Sequence, residues 1–361
     1  MKSVCLIEIP AVRNDCVSAS LDACGSGFDE AVGCRAARWL RNQLAARQTH
    51  KLVFGTLTPR SSLATAILIG SAIDRSGNLP KNTRPMTNPL SHKRLAVIGA
   101  GKMGGILLRA FLDQKLVSPG HVAATVRHAD RAEKLGKELG VRIGTDNRAA
   151  VHGADVVLLA VKPMQVAEVL QEIQAELKAG SVLVSIAASV PTKFIEQHLG
   201  REVAVVRAMP NTPCAIGYGM TGIARGSHAS AAHVEMAKAM FEAVGRAVVL
   251  DEKHMDAVTG LSASGAAFVY IILESLAEGG VKVGLPRDVA TLLAAQTMQG
   301  AARTVLETGD HPALLKDAVT TPAGCTIDGI MELEDGKVRV TLIKAIVKAT
   351  ERAKELMFDA V

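Results

Sequence analysis

Three glycines behind a short apolar run carry the clearest chemistry in this 361-residue chain. Leu95 to Ile98 leads into Gly99-Ala100-Gly101-Lys102-Met103-Gly104, and Ile106 to Leu112 follows with the apolar spacing of a helix. Strand, glycine turn and helix in that order make a phosphate cradle. The first glycine permits the tight turn, the second removes a side chain where pyrophosphate nears the backbone, and the third lets helix and strand pack closely. Unpaired amides at the helix start then draw the phosphates in. A bare G-x-G-x-x-G is a common turn, so the βα flanks are what make dinucleotide binding the reading here.

The end of the next strand bears on which nucleotide is held. Thr125-Val126-Arg127-His128 stands where NAD-binding proteins place a carboxylate for the ribose 2′-hydroxyl. Asp130 comes slightly too late, and with Glu133 it reads as a D-x-x-E capping box for the following helix. Arg127, with Arg131 near it, is suited instead to a 2′-phosphate, which a planar bidentate cation meets well. The expected cofactor is NADPH, with NADH as a second donor.

These residues need a frame. Leu95 to Gly99, His121 to Arg127, Asp155 to Val161, Ser181 to Ile186 and Val203 to Ala208 are β-rich and alternate with amphipathic helical stretches. That alternation predicts an α/β fold, a Rossmann-type doubly wound parallel sheet over 93–250 with ligands at the carboxyl ends of its strands. After Leu250 the period turns helical: Glu252 to Gly280, Pro286 to Leu306, His311 to Thr320, Thr326 to Glu334 and Lys337 to Met357. An all-helical domain over 251–361 is expected. The small residues of Thr259 to Ala267 allow close helix approach, and so much apolar helical surface suggests burial against a second subunit, a monomeric core being the alternative.

Composition narrows the function classes. Hydrophobic residues make up 48% of the chain and aromatics 3%, enough for sizeable cores but poor in stacking platforms for nucleic acid. The net charge of +6 lies mostly in the first 92 residues, with 11 lysines and arginines against 6 acids, so no basic face for nucleic acid is implied. Six cysteines show neither a C-x-x-C pair nor histidines at zinc spacing, which points to a reduced cytoplasmic setting without metal. No apolar run reaches the roughly 18 to 20 residues a membrane span needs, the nearest being Ala66 to Ile73 and Ala266 to Leu273, so membrane insertion is excluded on length.

Residues 1–92 read as an extension, with Cys34 to Arg47 able to form a basic amphipathic helix and 74–92 polar and proline-broken like a linker. Five acids among residues 8–30 argue against a transit peptide. Met86 is the expected physiological start, since it places the nucleotide strand a few residues from the terminus.

Further segments gain meaning together. Asp155-Val-Val-Leu-Leu-Ala160-Val161-Lys162-Pro163, Ser185-Ile-Ala187-Ala-Ser189, Arg207-Ala-Met-Pro-Asn211-Thr-Pro, Asp256-Ala-Val-Thr-Gly-Leu-Ser262-Ala-Ser264-Gly265, Gly279 to Pro286, and Leu315 to Ile327 follow one another in fixed order. In that order and spacing the chain resembles the pyrroline-5-carboxylate reductases over roughly residues 93–357. The resemblance implies NAD(P)H-dependent reduction of (S)-1-pyrroline-5-carboxylate to L-proline, the last step of proline biosynthesis, by dimers that often assemble further.

It also implies a site. Thr321-Pro-Ala323-Gly324-Cys325-Thr326 would grip the substrate carboxylate at a helix start, and the Thr326 hydroxyl would contact the ring nitrogen; simple helix capping is the alternative for Thr326. Lys162 and Asn211 would line the nicotinamide riboside with Ala160, Val161, Pro163 and Ala187, and Ser262 and Ser264 would open the long helix beside the substrate. Four residues depart from the family pattern: Ser189 and Ala323 replace glycines, and Ala263 and Ala266 stand where glycine and proline are usual. A β-hydroxyacid dehydrogenase, another imine reductase, or a non-enzymatic NADP(H) sensor would share the nucleotide half. The first two leave the Thr321 to Thr326 loop unexplained.

Overall fold

The computed structural model describes residues 88–356. Readings that fall on 1–87, including the Cys34 to Arg47 helix and the start at Met86, lie outside them. Eight strands form one sheet: β1 (Leu95–Ile98), β2 (Val122–Thr125), β3 (Arg142–Gly144), β4 (Val156–Leu159), β5 (Val182–Ser185), β6 (Ala204–Met209), β7 (Gly219–Arg225) and β8 (Gly245–Val249). Their order is β3-β2-β1-β4-β5-β6-β7-β8. Every neighbouring pair is parallel except β6 with β7. The order reverses between β1 and β4, and such a switch point opens the crevice where ligands bind in sheets of this kind.

Helices α1 (Lys102–Asp113), α2 (Ala129–Leu139), α3 (Asn147–Val151), α4 (Val166–Ile173), α5 (Thr192–Leu199) and α6 (Ala231–Glu242) accompany the strands. Because successive strand residues point to opposite faces, Leu95 and Val97 enter one core with Val156 and Leu158, while Ala96 and Ile98 enter the other with Val157 and Leu159. Both faces are covered, which explains strands apolar on both sides rather than alternating.

Three sequence expectations change here. The core begins before His92, since Leu90 is buried in it and Asn88 holds the turn, accepting from the Leu90 amide and donating to the Lys115 carbonyl. The Asp130 to Glu133 capping box does not form: α2 starts at Ala129 after His128, with no side-chain cap. Asp130 sits in the first turn, where its charge suits the helix dipole, and Glu133 pairs with Lys137 at 2.6 Å. Strands β3, β7 and β8 were not foreseen.

Past the sheet the chain is helical: α7 (Met255–Val258), a π turn at Thr259–Ala263, α8 (Gly265–Lys282), α9 (Arg287–Thr308), α10 (Pro312–Ala318), α11 (Cys325–Asp335) and α12 (Val338–Glu355). The small residues act as expected. A β-carbon on Gly260 would lie 2.4 Å from Thr350 Oγ1, so the π turn lies tight against α12, and one on Gly280 would lie 2.9 Å from Ala290 Cβ, between α8 and α9. Few side chains in these helices are buried, while Tyr270, Ile271, Leu292 and Ile343 are each more than 60% exposed.

The exclusion of a membrane span on length does not hold. Glu252–Lys282 is one continuous helical run of 31 residues containing an 18-residue window with a mean hydropathy of 1.5, long and apolar enough to cross a bilayer by length and composition alone. Scattered Thr, Ser and Glu broke the uninterrupted apolar count without lowering the average enough. Only 11% of the apolar window is buried within the chain.

Candidate active site

The glycine turn is fixed by sterics on each side. Gly99 has φ +88°, a left-handed conformation that disfavours side chains, and a β-carbon there would come within 3.0 Å of the Ala160 carbonyl. One on Gly104 would lie 2.4 Å from the Gly99 carbonyl and 2.9 Å from Ala160 Cβ. A β-carbon on Gly101 would meet nothing nearer than 3.9 Å, so the space above the second glycine is open. No side chain caps α1, which leaves its first amides free for an anion. This cradle, closed below and open above, fits the pyrophosphate of a dinucleotide.

Residues that sequence reasoning missed hold the turn in place. Gly99 donates its amide to Thr125 Oγ1 at 3.2 Å, and Ala100 donates to the Thr125 carbonyl at 2.6 Å. The Thr125 hydroxyl donates to Asn147 Oδ1, and Asn147 Nδ2 donates to Glu172. Ala100 is therefore fully buried with its amide engaged, a support rather than a contact surface, whereas Lys102 and Arg127 are exposed beside it. Thr125 was visible only as a strand end.

The β4 exit, Ala160 to Pro163, stands across the crevice from the turn; Ala160 and Val161 touch the turn's glycines and Lys162 is exposed. After β5, Ala187 is buried and donates its amide to Ser185 Oγ at 3.3 Å. Ser189, one of the departures from glycine, has φ +62°, and its buried hydroxyl has no partner. After β6, Asn211 accepts the Met220 amide at 2.8 Å and donates from Nδ2 to the Ser262 Oγ and carbonyl at 3.3 and 3.4 Å. The structure thus joins Asn211 to Ser262 directly. Ser262 lies inside the π turn, and Ser264 closes that turn and is the N-cap residue of α8, so the pair stands where the long helix begins. Such π turns are frequent at functional sites. Cys214 packs in the core nearby, and burial pushes its thiol up, which disfavours the thiolate.

The loop before α11 carries the other half of the expected site. Thr321, Ala323 and Cys325 are exposed, Thr326 is half-buried, and no hydrogen bond among the described residues links this loop to the glycine turn. Gly324, not Thr326, is the N-cap of α11, and Thr326 lies in the helix's first turn. The capping alternative for Thr326 is thereby corrected. The Gly324 amide bonds the Thr321 carbonyl and the Ile327 amide bonds the Gly324 carbonyl, leaving those of Cys325 and Thr326 pointing out of the helix start. Ala323 has φ +54°, so Ser189 and Ala323 both hold left-handed backbone, whereas Ala263 lies within the π turn.

A nucleotide sheet whose exits are tied to a helical module defines a dinucleotide-dependent oxidoreductase class. Residues 94–189 match the family model described as NADP oxidoreductase, coenzyme F420-dependent, and residues 252–356 match that of pyrroline-5-carboxylate reductase dimerisation. The chain is 41% identical to a pyrroline-5-carboxylate reductase of Methanosarcina acetivorans, over 74% of this chain and 99% of that one. Among solved structures, a pyrroline-5-carboxylate reductase from Coxiella burnetii is 35% identical with a TM-score of 0.68, covering 73% of this chain and 98% of the other. The Plasmodium falciparum pyrroline carboxylate reductase, solved with NADP bound, is 27% identical with a TM-score of 0.68, covering 74% and 98%. The chain belongs to the pyrroline-5-carboxylate reductase family.

Proposed function

We infer that this chain reduces (S)-1-pyrroline-5-carboxylate to L-proline with NADPH, closing proline biosynthesis as an oxidoreductase acting on a C=N bond. The observation that carries the reading is that relatives of this activity match along nearly their whole length, with the open glycine cradle and the helical module both present. Residues 93–250 serve as the nucleotide domain and 251–361 as the substrate and dimerisation domain.

Gly99 to Gly104 would hold the pyrophosphate, with Ala100 behind the turn and Lys102 and Met103 at the helix start. Arg127 would meet the 2′-phosphate. Ala160 to Pro163, Ala187 and Asn211 would line the nicotinamide riboside. NADPH, when bound, supplies the hydride. The chain's own work is placement: the amides of Cys325 and Thr326 and the α11 dipole hold the substrate carboxylate, aided by Thr321, Ala323 and Gly324. The Thr326 hydroxyl hydrogen-bonds the ring nitrogen, favouring the protonated imine that accepts hydride, with Ser262 and Ser264 flanking it. A homodimer built through the exposed apolar helices closes this loop over a nucleotide crevice. That burial, rather than a bilayer, is the proposed fate of the Glu252–Lys282 face, in a cytoplasmic enzyme.

The test is NADPH oxidation by the purified chain with pyrroline-5-carboxylate, beside keto acids as rival hydride acceptors. Turnover confined to the imine is expected; equal rates with a keto acid, or binding of NADPH without turnover, would reject the reading. Arg127→Asp is expected to weaken NADPH use far more than NADH use, and an unchanged ratio would remove Arg127 from the cofactor site.

A further inference from the structure

Three charged side chains sit where the sheet meets the helical module. Arg207 lies in β6, two residues before Met209, and its side chain is only 4% exposed. Its Nη1 donates to Glu252 Oε1 at 3.5 Å and its Nη2 to Asp256 Oδ1 at 3.3 Å. Glu252 also accepts the Thr192 amide at 2.7 Å and the Thr192 hydroxyl at 2.6 Å. One carboxylate from beyond the sheet thus closes the start of α5, where no α5 side chain caps it.

We propose that Arg207, acting through Glu252 and Asp256, is a positioning residue for the reaction, setting two cofactor-edge loops and the π turn in one register. The cluster touches the roots of all three. Thr192 follows the β5 exit loop that carries Ala187 and Ser189; Arg207 precedes the β6 exit that carries Asn211; Asp256 lies in the short helix running into the π turn. Asn211 and Ser262 then meet at 3.3 Å on the far side of the same junction. A buried guanidinium left without its carboxylates is strongly unfavourable, so the three groups move as a unit. Replacing a whole buried ion cluster by apolar side chains often costs little stability. What the cluster supplies beyond stability is therefore alignment, and a nearby β-carbon contact shows how tight that alignment is: one on Gly222 of β7 would lie 2.8 Å from Val258 Cγ1.

The turnover half of this inference rests on the reductase reading; the cofactor-affinity half does not. The experiment compares the wild type, Arg207→Met/Asp256→Leu and Arg207→Lys, each as the full chain. Three readouts are taken: NADPH affinity by nicotinamide fluorescence without imine, kcat and KM for imine, and hydrogen exchange of the Met220 amide in the apoprotein. The double variant keeps Glu252 on Thr192 and is expected to melt near the wild type. Its NADPH Kd is expected to rise and its kcat to fall, each roughly tenfold, since small misplacements at a reacting centre have effects of this size or larger. Met220 exchange should quicken, imine KM should change less than kcat, and Arg207→Lys should recover part of the loss. A double variant with wild-type Kd, kcat and exchange overturns the proposal; if it does not fold, a wild-type Arg207→Lys does so. Absent wild-type turnover rejects the reductase reading, and Kd and exchange then decide the positioning role alone.

Discussion

The two halves of this molecule solve opposite packing problems. The sheet buries strand residues on both faces under its own helices, so Leu95 to Ile98 and Val156 to Leu159 are essentially inaccessible to water. The helices from α8 to α12 bury a handful of small residues and leave large apolar ones outside, among them Leu292 at 67% exposed and Tyr270 at 61%. Exposed apolar surface on that scale marks an interaction face. One half is complete as a single chain, and the other becomes so through the dimerisation its family model describes.

Variants can strain that contrast from either side. The largest effect is expected at Gly104→Val, whose first added carbon would lie 2.4 Å from the Gly99 carbonyl. NADPH affinity should fall at least about a hundredfold, roughly 2.7 kcal/mol, in a fluorescence titration, while self-association by sedimentation stays as in the wild type. Joint loss of both would mean that the halves are not independent in this respect. Leu292→Asp presses the other half: the dimer should weaken by about a hundredfold, the scale of a single interface hot spot, with the fold of the sheet unchanged by circular dichroism. A dimer of wild-type strength would take α9 out of the interface.

Thr326→Ala should lower kcat at least roughly tenfold, about 1.4 kcal/mol of transition-state stabilisation, with NADPH affinity retained. Wild-type turnover would leave Thr326 a residue of the helix's first turn and nothing more.

The smallest effect concerns Asp155 at the entrance to β4. Burial pushes its carboxyl up, but the Arg94 amide at 2.7 Å and the Lys178 ammonium outweigh that and hold it below the usual carboxylate range. A lowered folded-state pKa stabilises the fold above the unfolded value of about 3.9 and loses that contribution as pH falls through the folded value. Asp155→Asn should therefore lower the neutral plateau of a stability-against-pH curve by about 1 kcal/mol or less, measured by urea unfolding, and leave a correspondingly flatter acid limb.

How much of this was legible in the sequence follows the same division. Continuous apolar runs between glycines disclosed β1, β4, β5 and β6, because strands covered on both faces have no polar side to blur them. Strand β3 escaped because it is three residues long, opening on Arg142 and closing on Gly144. β7 escaped because Gly219 and Gly222 dilute its β-forming residues, and the glycines are there for a reason no local pattern conveys: Cys214 and Val258 come too close for a side chain. Of the site, the glycine turn was readable because its spacing is its mechanism. The Arg207 cluster was not, since its members lie 45 and 49 residues apart and obey no periodicity. The glycine replacements at Ser189 and Ala323 could be noticed beforehand, but only backbone angles show that they occupy left-handed positions, where a side chain costs about 1–2 kcal/mol.

The carboxylate of Glu252 has a consequence for anyone who would splice this chain with a relative. A crossover at residue 250 looks natural, at the border between strands and helices, yet it would separate Thr192 and Arg207 from the acids that complete them. A hybrid should inherit all four side chains from one parent, or be cut upstream of Thr192, so that the junction travels as a single cassette.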